Sequence, residues 1–130
     1  MQIIRYCVTK EEHEGENVFK VHRGYIMGNP YTHIKQKATK AEIVVPSREE
    51  AIKRFERYFE KSLELNPEFS FEFQRMVEIC MKHDIIYIGC YCGENETCHG
   101  DYIAKRLKQE CRKRLLKKIK KERTNEVVSS

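Results

Sequence analysis

The chain has 130 residues, 40% hydrophobic and 35% charged, with a net charge of +5. That size and balance predict one domain with a single core, and exclude a chain too polar to fold. No run approaches the ~20 apolar residues of a membrane span. The start, Met1-Gln2-Ile3-Ile4-Arg5-Tyr6-Cys7, lacks the zones of a secretory leader. The expectation is a cytoplasmic protein, with no membrane partner, whose six cysteines stay thiols.

Gln2 to Thr9 reads as a strand, Lys10 to Asn17 as an acidic hairpin or loop, and Val18 to Val21 as a short second strand. Gly24 to Pro30 is too rich in Gly and Pro for regular structure. Glu42 to Val45 is a short extended piece ended by Pro46. Ser47 and Glu50 form a capping box for a helix with Ala51, Ile52, Phe55, Tyr58, Phe59 and Leu63 on one face. Asn66-Pro67 breaks it. A second helix is expected from about Ser70 to Lys82, with Phe69, Phe73, Met76, Val77 and Cys80 as its buried face. Ile85 to Cys92 reads as a central strand, being apolar up to Gly89. A last helix begins near Cys98 and runs to about Glu122, with 123–130 a flexible tail. Strands alternating with helices predict a single α/β domain over 1–122. Residues 101–123 hold 11 Lys/Arg against three acids, a balance of +8 that leaves −3 for the rest.

Cys90-Tyr91-Cys92-Gly93 and Cys98-His99-Gly100-Asp101 fall at a strand–loop–helix junction, where α/β proteins place ligands. Three readings compete. Cys90, Cys92, Cys98 and His99 include enough soft donors for zinc. The spacing disfavours it: Cys-x-Cys on an extended strand separates its sulfurs by ~7 Å, and adjacent helical residues diverge by about 100°. The favoured reading is an anion-friendly pocket. Free N–H groups and the helix dipole at Cys98 to Asp101 attract phosphate, Gly100 allows close approach, and the same field activates the Cys98 thiol. His99 and Asp101 are then hydrogen-bonding or acid–base groups. The structural reading makes Cys90 and Cys92 small core residues. Cys7, Cys80 and Cys111 read as buried thiols.

Arg23, followed by Gly28-Asn29-Pro30 and by Tyr25, Tyr31, Thr32 and His33, can grip a phosphate. Arg48 opposes the dipole of its own helix and therefore faces an anion or solvent. Ile103, Leu107, Cys111, Leu115 and Ile119 form an apolar stripe on the basic last helix. That helix suits nucleic-acid phosphates, a homodimer, or simple solvation, which is favoured.

These residues carry a resemblance. Arg23…Gly28-Asn29-Pro30-Tyr31, Arg48-Glu49-Glu50-Ala51-Ile52…Tyr58, and Cys90-Tyr91-Cys92…Cys98-His99-Gly100-Asp101 resemble a family of unknown function from bacteriophages and bacteria, over about residues 20–107. A second uncharacterised family is similar at a Cys…Cys-His-Arg junction. The resemblance implies a compact Rossmann-like domain with both motifs at one pocket. The basic extension after Leu107 and the Lys35 to Val45 segment depart from it. The expected function is binding of a phosphate-containing small molecule, a nucleotide or its derivative. In a phage this would sequester a host immune signalling nucleotide as an anti-defence device. The expected ligand residues are Arg23, Gly28, Asn29, Arg48, Cys98, His99, Gly100 and Asp101, with no cofactor. The alternatives are an enzyme using Cys98, His99 and Asp101 on such a substrate, and a nucleic-acid or partner-binding module.

Overall fold

The computed structural model describes residues 1–22, 24–32, 43–92 and 98–129, with side chains through Arg123 apart from those of Thr32 and Val44. The elements in chain order are β1 (Gln2–Cys7), β2 (Val18–Lys20), β3 (Tyr31–Thr32), β4 (Ile43–Val44), α1 (Arg48–Leu65), α2 (Pro67–Lys82), β5 (Ile85–Cys90) and α3 (His99–Ser129). The protein is mixed α/β. Its main sheet is parallel, in the order β1-β5-β2, and β3 pairs with β4 in a small parallel sheet of their own.

Register explains why β5 is so apolar. Arg5 lies beside Ile88, Tyr6 beside Gly89 and Cys7 beside Cys90, while Phe19 of β2 flanks Ile88 from the other side. Alternate side chains of a strand share a face. Ile86, Ile88 and Cys90 thus point together into the core with Phe19, Phe55, Phe73, Val77, Ile103 and Leu107. The opposite face carries Tyr87 and Gly89. The return from β1 to β2 covers it: His13 stacks on Tyr87 with ring centroids 4.1 Å apart and meets Tyr6 edge-on at 4.6 Å. The Lys10 to Asn17 segment is therefore no hairpin, because β5 stands between β1 and β2.

Ser47 caps α1 by accepting the Glu50 N–H at 3.1 Å. Asn66 ends α1, its N–H donating to the Ser62 carbonyl at 2.9 Å. It also starts α2, its Oδ1 accepting from the Glu68 and Phe69 N–H groups. The expected break at Asn66-Pro67 exists, but α2 begins at Pro67 rather than near Ser70: proline at the first helical position needs no N–H partner and has its φ preset. Phe55, Phe59, Phe69 and Phe73 fill the space between the helices through edge-on and tilted ring contacts. β5 stops at Cys90, two residues before the expected end, where the chain bends at Tyr91 and Cys92.

α3 is 31 residues long and continues past Glu122, where a tail was expected. No Gly or Pro after Gly100 terminates it. Ile103, Leu107 and Cys111 of its apolar stripe are buried, whereas Leu115 and Ile119 are exposed, as is Leu116 beside them. The stripe is thus covered over its first half only. No helix among the described residues is long and apolar enough to cross a membrane.

Candidate functional site

The C-terminal end of β5, the start of α3 and the start of α1 meet at a group of three thiols. The Sγ atoms of Cys90, Cys92 and Cys98 all lie within 4.8 Å of one another. The bend after Cys90 produces this. Cys92 has left the strand, so the ~7 Å separation of an extended Cys-x-Cys does not apply, and that half of the spacing argument falls; His99, the fourth residue of the expected set, is not in the group. Cys90 and Cys98 are buried and Cys92 is half-buried. Cys7, Cys80 and Cys111 are buried thiols outside this group, as the sequence suggests, Cys7 lying beside Cys90 with its Sγ 3.6 Å from the Tyr91 carbonyl.

Each of the three sulfurs has its own nitrogen donor. Arg5 Nη1 of β1 approaches Cys90 Sγ at 3.7 Å, Arg48 Nη1 of α1 approaches Cys92 Sγ at 3.7 Å, and the Gly100 N–H donates to Cys98 Sγ at 3.3 Å. Arg48 stands against its helix dipole, as noted from the sequence, and the group it faces is the Cys92 sulfur. Hydrogen bonds from the Cys90 and Cys98 thiols, then the Arg48 bond and charge, hold the Cys92 thiol well below its ordinary range. The Cys98 thiol is pushed up, first by donating to Cys90 and Cys92 and then by burial.

Cys98 also caps α3. Its sulfur takes the Gly100 N–H, as an N-cap side chain does, and its own N–H donates to Asp101 Oδ2 at 3.1 Å, the returning half of a capping box. The Asp101 N–H donates to the Cys98 carbonyl at 3.0 Å, and the Asp101 carboxylate pairs with Arg5 Nε at 3.2 Å. His99 is buried, 2.5 Å from the Val21 carbonyl through Nε2 and 3.6 Å from Cys98 Sγ through Nδ1. A carbonyl only accepts, so Nε2 carries a proton. Phe55 packs edge-on against the ring at 4.9 Å. Gly100 is buried beside Ile88.

The Gly-Asn-Pro turn joins α1. The Gly28 N–H donates to the Tyr25 carbonyl. Buried Asn29 donates through Nδ2 to the Ala51 carbonyl at 3.3 Å and accepts the Tyr31 N–H at 2.9 Å. Its position fixes Tyr31 against α1, where the Tyr31 and Tyr58 rings meet edge-on at 6.4 Å. Beside them runs an open groove of about 590 Å³, lined by Tyr31, Glu50, Arg54, Arg57, Tyr58 and Lys61 and closed toward the helix end by Ser62, Leu65 and Asn66. A second cavity of about 400 Å³ lies between β2, the 25–27 turn and α2. Arg23 and Gly93, named from the sequence, lie outside the described residues.

Sequence reasoning did not single out Arg5, though a lone guanidinium inside the apolar run Ile3 to Cys7 was a signal. Nor did it single out Arg54, Arg57 and Lys61 of α1.

A family model described as a domain of unknown function, DUF4326, matches residues 4–109. The chain belongs to this family. The DUF4326 match takes in every residue of the thiol group and the groove, and leaves the outer part of α3 beyond it. No curated protein and no solved structure matches the chain.

Proposed function

We propose that this DUF4326 protein binds a phosphate-containing small molecule of the nucleotide type, in the groove along α1. The observation that carries the reading is the lining of that groove: Arg57 and Lys61 on one helical stripe with Arg54, which Glu50 holds at 2.8 Å, and Tyr31 and Tyr58 beside them. Its volume is in the range of ~300–1,000 Å³ that small-molecule sites occupy. Guanidinium groups match phosphate oxygens bidentately, and tyrosine rings offer a face to a base. The start of α3 supports an anion less well. Its Gly100 and Asp101 N–H groups are spent on Cys98, and the Asp101 carboxylate stands there. In this reading Gly28 and Asn29 act by positioning Tyr31.

Calorimetry with ATP, ADP-ribose and cyclic dinucleotides tests the proposal. At least one is expected to bind, and Arg57→Ala with Lys61→Ala to weaken it tenfold or more. Absence of heat with every ligand, or a double variant that binds as the parent does, would refute it. Ligand recovered unchanged from the heated complex marks holding rather than turnover, as sequestration of a signalling nucleotide requires.

A further inference from the structure

We propose that Cys90, Cys92 and Cys98 together bind one zinc ion through their sulfurs, these three being its ligands among the described residues. The three Sγ atoms already lie within 4.8 Å of one another. A tetrahedral site with Zn–S bonds of ~2.3 Å needs sulfurs about 3.8 Å apart, so a shift of roughly an ångström closes them around the ion. The half-buried Cys92, just beyond the end of β5, supplies the freedom for it.

Proximity alone would also suit three core thiols. The surroundings do not. Neutral thiols are weak acceptors and give little return for placing two guanidinium groups beside them. Here Arg5 Nη1 donates to Cys90, Arg48 Nη1 to Cys92 and the Gly100 N–H to Cys98. Those donors come from β1, α1 and α3. N–H donors to each sulfur are the outer shell of a metal-bound thiolate, where they orient the ligand and temper its charge. Charge points the same way: three thiolates and Zn²⁺ leave −1, and Arg5 and Arg48 each place a cation beside a sulfur. Zinc follows from the ligand type, since among common divalent ions soft thiolates select it over magnesium, calcium and manganese.

The site is separate from the groove along α1, so either proposal can fail without the other. The test uses the full chain, purified without a chelating tag, and elemental analysis for zinc. About one ion per chain is expected. Cobalt substitution is expected to give the sulfur-to-metal charge-transfer band and the intense visible bands of tetrahedral thiolate coordination. Cys92→Ser, at the half-buried position, should fold by circular dichroism yet lose stoichiometric metal. Cys7→Ser should keep it. Arg48→Gln leaves all three ligands in place and should weaken zinc by 10–100-fold against a competing chelator. Metal-free protein that stays metal-free on addition of zinc under reducing conditions would overturn the proposal. So would a disulfide between any two of the three cysteines in protein purified with reductant, or a Cys92→Ser protein with undiminished zinc.

Discussion

Gly89→Ala tests the packing of β5 against β1 most directly. A Cβ at Gly89 would stand 2.8 Å from Tyr6 Cζ, Tyr6 Oη and Val8 Cγ1. Carbon contacts settle at ~3.5–4.0 Å, so the neighbours must retreat by about 0.7–1.2 Å. Tyr6 has little room for that. It is 5% exposed, and its ring is held edge-on by His13 at 4.6 Å and Tyr87 at 6.3 Å. Overpacking of this kind costs ~1–3 kcal/mol. Alanine recovers ~0.5–1 kcal/mol by restricting the unfolded chain. The net expectation is a loss of about 1–2 kcal/mol and a Tm lower by roughly 4–8 °C. Urea denaturation followed by far-UV circular dichroism measures it. Tyr6→Ala removes two of the three close contacts, so the same Gly89→Ala change in that background should cost less by about 1 kcal/mol or more. A Gly89→Ala protein as stable as the parent, or an equal cost in both backgrounds, would refute the reasoning.

Two further outcomes are expected. Asp101→Ala removes the acceptor for the Cys98 N–H and the partner of Arg5. It should cost ~1 kcal/mol in the same denaturation experiment, as loss of a helix cap does, whereas Asp101→Asn keeps an acceptor and should cost less than half of that because the Asp101 carboxylate is half-exposed and water screens its pairing with Arg5. Burial pushes the Cys80 thiol from 9.0 up to about 12, and burial with the Glu60 hydrogen bond pushes the Tyr102 phenol from 10.0 up to about 12. Both folded-state values lie above the unfolded ones, so the fold favours the neutral forms. The stability they contribute is complete below pH 9 and is lost as pH climbs toward 12. Denaturation midpoints at successive pH values should fall across that window, and fall less steeply in Cys80→Ala; identical slopes would contradict the assignment.

The helices were legible because their signals are local. Ser47 and Glu50 announce α1, and the 3.6-residue spacing of Ala51, Phe55 and Phe59 marks its buried face. The order β1-β5-β2 was not legible, since nothing in Gln2 to Thr9 or Val18 to Val21 says that a strand from residue 85 onward separates them. The thiol group shows the same limit. Its residue types were visible, but the geometry depended on where β5 ends. Two residues of bend convert sulfurs ~7 Å apart on a strand into sulfurs within 4.8 Å. Arg5 joined that group through the pairing of β1 with β5, a contact between residues 2–7 and 85–90 that no local pattern reports. Asn29 was legible as a turn residue and not as the link between Ala51 and Tyr31.

The central position of β5 also sets the order of events in making this protein. Gln2 finds its partner at Ile85, and Val18 finds its partner at Tyr87. During synthesis both outer strands emerge long before the strand that joins them, and they have no ladder to form with each other. α1 and α2, closed by local contacts, are free to condense first; the sheet waits for the last third of the chain. Loops of this length make sheet closure the slow step. The nascent N-terminal portion must leave the ribosome with its strand edges unpaired, which is when such chains are most exposed to aggregation and most in need of a chaperone.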